Sequence, residues 1–404
     1  MLVATNALMG LIGLVTSSLA VRLLGTEGRG ELAAIQNLPH LLAVVAGLGM
    51  GDAALYHSAR SQPDIGAIVR RALAISAVSS VVFAIVGVGV VQFALSDPTR
   101  SSARWYLPIV ILIPTLAVLH QPFRAIGQIG LWATIRCGPA VGWLVILVVA
   151  YLSHSDQPKT LALWFLAVHV VLVLGGLLLL KWYPAAAANG SPLPSRRALL
   201  RFGLPSGLVG LPQVLNLRLD QIVMVGFVAR SQLGLYAAAA SWSTLASPVF
   251  IGLGQLALPR LAATHLAEET NRLTRRFVLL ALALAACGLV VAVPLTPMLF
   301  PFIMGDEVRA GVHVAQLLMV AGIVSGVQVV LEDVHRGRGR PGVAMTAEVV
   351  GLVSTVVLLV VLLGPFGLIG AAVASLVSYS LIVVVLAVAL IRRKPRAPSA
   401  LSGL

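Results

Sequence analysis

The sequence predicts an all-α membrane protein of twelve transmembrane helices arranged as two similar halves of six. Three observations predict it. Of the 404 residues 59% are hydrophobic and 10% charged, with a mean hydropathy of +0.99; a soluble domain is about 45–50% apolar and about 25% charged. The apolar residues gather in runs of about 20, the length that crosses a bilayer as a helix. A segment around Gly30 recurs around Gly234, half a chain later. This composition excludes an ordinary soluble enzyme, a secreted disulfide scaffold and a disordered chain. Cys137 and Cys287 both lie inside apolar runs, so neither a disulfide framework nor a zinc site is expected.

The first run, 2–21, has no basic stretch before it and no small-residue cleavage site after it, so it reads as a retained helix. The others lie near 31–54, 72–95, 105–123, 131–152, 160–181, 199–228, 234–257, 277–302, 310–331, 342–363 and 367–391. The seventh is interrupted by Pro205 and Pro212. The longest aqueous stretch, Lys181–Arg201, reads as a linker. It divides the chain into a first lobe at 1–181, a linker at 182–198, a second lobe at 199–391 and a basic tail at 392–404.

The net charge is +14. In a soluble protein that would point to nucleic acid; here the cations sit in short loops, so no nucleic-acid partner is expected. Loops on the side of the N-terminus hold more than twice the cations of the opposite loops. The positive-inside rule then places both termini in the cytoplasm, in the cell membrane.

LLGTEGRGELAAIQ at 23–36 is matched by FVARSQLGLYAAAA at 227–240, and GQIGLWATIR at 127–136 by GRPGVAMTAE at 339–348, which puts Arg136 opposite Glu348. A repeat of six spans keeps its orientation and implies two bundles related about the membrane normal, with a transported substrate bound between the repeats.

RLLGTEGRGELAA at 22–34 resembles the turn after the first helix of polysaccharide-biosynthesis flippases. LDQIVMVGFVARSQLGLYAAAA at 219–240 is similar to their seventh-to-eighth helix hairpin, and GPFGLIGAAVASLVSY at 364–379 to the entry into their last helix. The resemblance spans most of the chain. It implies the multidrug/oligosaccharidyl-lipid/polysaccharide (MOP) exporter superfamily, with two six-helix lobes around a central cavity that opens alternately to each side.

A charge at the bilayer centre costs about 2.5–3.5 kcal/mol on insertion scales, so such residues face a cavity or a partner. Gln213, Asn216 and Asp220 are spaced to share one face of the seventh span, with Arg218 beside them. Arg218 is placed either to attract phosphate or to stand near an Asp220 that pairs with an arginine of another helix. Arg136 either reaches the cavity or snorkels to the interface, and Arg22 is a cavity residue or an interfacial anchor. His40 packs by hydrogen bonding or lines the cavity. Late in the chain Gln328, Glu332 and His335 share a face, followed by Arg336 and Arg338. Glu332, Asp333 and Arg336 read as a cytoplasmic gate. Glu348 is placed to neutralise a cavity arginine or to carry a coupling ion.

The expected cargo is a polyprenyl-pyrophosphate-linked oligosaccharide, flipped from the cytoplasmic to the outer leaflet for surface polysaccharide synthesis. Arginine suits it, because its fork binds phosphate bidentately and keeps its charge. A cation-coupled drug exporter or a peptidoglycan-precursor flippase are the alternatives. An enzyme is not expected: no long external loop and no catalytic motif is present. No metal or cofactor is expected beyond a coupling H+ or Na+. Membrane lipid, and glycosyltransferases with a polysaccharide polymerase, are the expected partners.

Overall fold

The computed structural model describes residues 2–61, 64–180, 193–216, 218–262, 264 and 266–392. The helices are α1 (Leu2–Ala46), α2 (Met50–Ser61), α3 (Ile65–Ala94), α4 (Thr99–Tyr106), α5 (Ile109–His120), α6 (Pro122–Ala125), α7 (Ile129–Leu152), α8 (Pro158–Leu179), α9 (Arg196–Asn216), α10 (Leu219–Met224), α11 (Arg230–Ser243), α12 (Ser247–Ala262), α13 (Ala267–Met304), α14 (Val312–Gly337) and α15 (Pro341–Arg392). No strand occurs among the described residues. Helix is what a bilayer demands, since each backbone donor and acceptor must be satisfied without water. Most of the expected linker, the basic tail beyond 392 and the Gln213 side chain lie outside the described residues.

Nine segments among the described residues are long and apolar enough to cross a membrane. Seven match one expected span each. The other two, Leu8–Ala59 and Pro341–Ile391, run to 52 and 51 residues. A straight helix of 50 residues would measure about 75 Å, against a hydrocarbon core of about 30 Å. Each is kinked at a glycine with positive φ: Gly25 at 65° in α1 and Gly367 at 53° in α15. Only glycine adopts that conformation without strain. The loops expected at 22–30 and 364–366 are therefore corrected to helix running up to, and on from, a single kinked residue.

The expected seventh span is not among the nine. Pro205 and Pro212 lie inside α9, which stops at Asn216, and α10 starts at Leu219 behind Arg218 at φ −133°. Asn216 and Asp220 thus do not share the face of one continuous helix, because the backbone between them leaves the helical conformation.

The chain divides into two compact units, Val15–Ala237 and Met1–Leu14 with Ala238–Leu404. This partition runs through α1 and α11, not through the linker. In the first unit, Leu32, Ile35, Tyr106 and Ile109 form one buried cluster, and Met50, Ile68, Leu119, Phe123, Trp132 and Leu199 another. α1 and α11 meet in a glycine contact. A Cβ on Gly30 would overlap the Arg230 carbonyl, and one on Gly234 would overlap the Thr26 carbonyl. Thr26 and Arg230 stand at the same spacing as Gly30 and Gly234, so the contact is reciprocal, as expected where two copies of one motif face each other. An Arg230–Glu31 ion pair at 3.9 Å lies beside it.

In the second unit α14 packs against α12, α13 and α15. Cys287 is exposed on α13, and Cys137 on α7 is half-buried. The α6–α7 and α14–α15 turns share one local geometry. Gly127 and Gly339 have φ of 75° and 71°. Gln128 N donates to Phe123 O and Arg340 N to His335 O, both at 2.9 Å. Thr134 Oγ1 donates to Gly130 O at 3.0 Å and Thr346 Oγ1 to Gly342 O at 2.9 Å. Every one of these pairs keeps the spacing of Arg136 and Glu348, which gives the second sequence match a structural counterpart.

Candidate functional site

In the first unit the helix after the Gly25 kink brings Arg29, Asn37 and His40 toward α10. Arg218, at the break before α10, bears electrostatically on both Arg29 and His40. Arg29 Nε is buried with no hydrogen-bond partner among the described residues. Arg218 stays open to solvent. The acid that bears on Arg218 is Asp220, and Asp220 is already engaged: its Oδ2 accepts from Tyr236 Oη at 2.6 Å and its Oδ1 from Gln221 N at 2.7 Å. Gln221 Oε1 in turn accepts from Asn37 Nδ2 at 3.1 Å, tying α10 to α1. These bonds fix the break that presents Arg218.

His40 Nε2 and Tyr106 Oη lie 2.9 Å apart, with the ring tautomer deciding which donates. His40 also meets the Phe165 ring edge-on, with centroids 6.2 Å apart. Of the sequence candidates, Arg218, Asp220, Asn216 and His40 thus lie in the first unit, with Asn216 and Asp220 buried. Arg22 is exposed on α1, just before the kink. Arg136 lies elsewhere in the unit, its guanidinium carbon 4.9 Å from the Trp132 ring centroid. Arg29 falls in a stretch that reads as loop in the sequence. The signal for it is the match of Gly30 to Gly234, since both glycines belong to helices that begin before them.

In the second unit the acids form a separate cluster. Gln328 Nε2 donates to Glu332 Oε1 at 3.0 Å and to Glu348 Oε1 at 2.7 Å, and all three residues are buried. Arg336 reaches Glu332 at 3.5 Å and Asp333 at 3.4 Å. His335 turns away, its Nε2 3.0 Å from the Leu386 carbonyl oxygen. Arg338 donates to Thr274 Oγ1 at 3.3 Å. The Gln328 amide thus links α14 to α15 and brings two buried carboxyl groups together.

Solved structures share this fold. A lipid II flippase MurJ in an inward closed conformation is 13% identical, with a TM-score of 0.80 over 96% of this chain and 87% of that one. An inward-facing multidrug resistance MATE family transporter of the MOP superfamily is 14% identical, with a TM-score of 0.68 over 97% of this chain and 94% of that one. The MATE multidrug transporter DinF-BH is 18% identical, with a TM-score of 0.65 over 98% of this chain and 94% of that one. No curated protein matches the chain. The chain is a multi-pass membrane protein with the fold of the MOP superfamily, and, since the family model for polysaccharide biosynthesis proteins matches residues 1–265, it belongs to that family.

Proposed function

We propose that the protein is a membrane transporter that flips a polyprenyl-pyrophosphate-linked oligosaccharide from the cytoplasmic to the outer leaflet of the cell membrane. In this reading the two long kinked helices each cross twice, α9 with α10 crosses once, and twelve crossings form two six-helix lobes with an arginine-lined cavity. The observation that carries the reading is the pair Arg29 and Arg218. They are two cations within electrostatic reach of each other, and the nearby acid Asp220 already accepts two hydrogen bonds. A diphosphate supplies the missing charge, and each guanidinium fork binds it bidentately. Arg22, Asn216 and the His40–Tyr106 pair add polar contacts for the head group. Alternating access then needs only that the lobes close over the bound head on one side and release it on the other.

Glu332, Glu348, Asp333 and Arg336 serve ion coupling or gating, with H+ or Na+ as the ion. Glycosyltransferases would supply the cargo and a polymerase would consume it. The double variant Arg29→Ala with Arg218→Ala should reach the membrane in normal amount yet fail to restore a flippase-deficient strain; full complementation overturns the reading. Cargo is separable by depletion. Accumulated lipid-linked glycan supports the reading, accumulated peptidoglycan precursor replaces the glycan with that cargo, and drug resistance on expression replaces it with an exported cation.

A further inference from the structure

The geometry points to a second anion-binding site in the first unit, at the α5–α6–α7 turn, where Arg124, Arg136, Trp132 and His120 take a phosphate group. The guanidinium carbons of Arg124 and Arg136 lie 5.1 Å and 4.9 Å from the Trp132 ring centroid. The charges of both arginines bear on the His120 ring. Neither arginine has an ion pair among the described residues. α5, α6 and α7 contain no Asp or Glu. The acids of the neighbouring α2 and α3 ends are engaged elsewhere: Asp52 accepts from Ser206 Oγ at 2.9 Å, and Asp64 accepts from Ala67 N and faces Arg70 at 3.4 Å.

Buried polar atoms in the same cluster lack partners. Trp132 is 2% exposed, and its indole Nε1, a donor only, has no acceptor among the described residues. His120 Nδ1 is also buried with no partner among the described residues, as is Gln121 Oε1, whose amide turned over offers a further donor. Two uncompensated cations together with unsatisfied N–H groups call for an oxyanion, and a phosphate has enough oxygens for all of them.

The second unit supplies the control. Its α14–α15 turn has the same backbone geometry, and there Glu332, Asp333 and Glu348 stand where His120, Gln121 and Arg136 stand in the first unit. Arg336 stands where Arg124 does, and it is answered by Glu332 and Asp333. The turn geometry itself therefore does not require an unanswered cation at the position of Arg124. Because α6 ends one membrane-crossing segment, Thr99–Ala125, and α7 opens the next, Ile129–Leu152, the turn between them is at a membrane surface. The phosphate comes either from the head group of an anionic lipid or from free phosphate.

The test uses the purified full chain in neutral detergent, with dihexanoyl phosphatidylglycerol, dihexanoyl phosphatidylcholine and inorganic phosphate as probes. Thermal unfolding and native mass spectrometry are the readouts. Saturable stabilisation by phosphatidylglycerol but not phosphatidylcholine supports the site with a lipid source; stabilisation by inorganic phosphate alone supports it with a free ion. Arg124→Gln with Arg136→Gln should weaken the apparent affinity by about tenfold or more, as loss of charge-assisted bonds requires. Trp132→Phe keeps an aromatic face for the two arginines, removes the N–H donor and should weaken it by about threefold, so it reads the site even if the double variant does not fold. Arg29→Ala with Arg218→Ala should leave the response intact, which separates this site from the proposed cargo site. No selective response to either anionic probe, or an undiminished response in both Trp132→Phe and the folded double variant, overturns the proposal.

Discussion

Arg29 and Arg218 differ from Arg230, Arg309 and Arg336 in what surrounds them. Those three each have a carboxylate within 4 Å, whereas the Arg218 charge falls on Arg29 and His40, and the acid that bears on it, Asp220, is held by Tyr236 and the Gln221 N–H. Like charges held close together lower stability unless an anion joins them. Arg218→Ala should therefore leave the melting temperature unchanged or raise it, while removing transport; a large drop in melting temperature would make Arg218 a structural residue. Arg218→Lys keeps the charge without the fork, and transport should fall by about tenfold, since a bidentate contact becomes a point contact. Tyr236→Phe acts differently. It removes the 2.6 Å bond to Asp220 and leaves a buried acceptor short of a donor, which costs about 1–3 kcal/mol and should appear as a lowered melting temperature. Arg218, Asp220 and His40 were legible because a polar residue within an apolar run is conspicuous. Arg29 was not, because a glycine-rich polar stretch reads as loop whether or not it is helical. The Asn216–Asp220 stripe fails for the converse reason: periodicity assumes a continuous helix, and the chain breaks at Arg218.

At the scale of helices, the crossing of α1 and α11 rests on glycine. Alanine is the better helix former by about 1 kcal/mol, so propensity alone favours Gly30→Ala. Packing opposes it, because the added Cβ would overlap the Arg230 carbonyl, a backbone atom with no rotamer to yield. Overpacking costs about 1–3 kcal/mol, so packing outweighs propensity and the two helices should separate. The expected result is a lower melting temperature together with faster thiol labelling of a cysteine introduced at Thr26. Unchanged labelling would mean that the helices meet by other contacts. The repeat that pairs Gly30 with Gly234 was visible in sequence because both lie in similar polar-to-small transitions. The kinks at Gly25 and Gly367 were not, since a helix that bends and a helix that ends before a loop share the same composition of Gly and polar residues.

For the whole molecule, one turn geometry carries only cations in its first occurrence and buried carboxyl groups beside its arginines in the second. The α6–α7 turn carries His120, Arg124 and Arg136, and the α14–α15 turn carries Glu332, Arg336 and Glu348. The offset that relates them could be read from the sequence, but not the consequence, because which neighbours answer each charge depends on packing between helices far apart in the chain. In the proposed function the cargo takes an anion site and a coupling cation takes a second site, and buried carboxyl groups suit the second. Glu348→Gln tests this with little structural disturbance, since glutamine keeps an oxygen to accept from the Gln328 amide, now 2.7 Å from Glu348 Oε1, while losing the charge. In proteoliposomes the wild-type protein should move cargo faster when a proton or sodium gradient is imposed. The variant should retain gradient-free exchange but lose that acceleration. If the variant keeps the full acceleration, the carboxyl pair is a packing device joining α14 to α15, and the driving ion binds elsewhere.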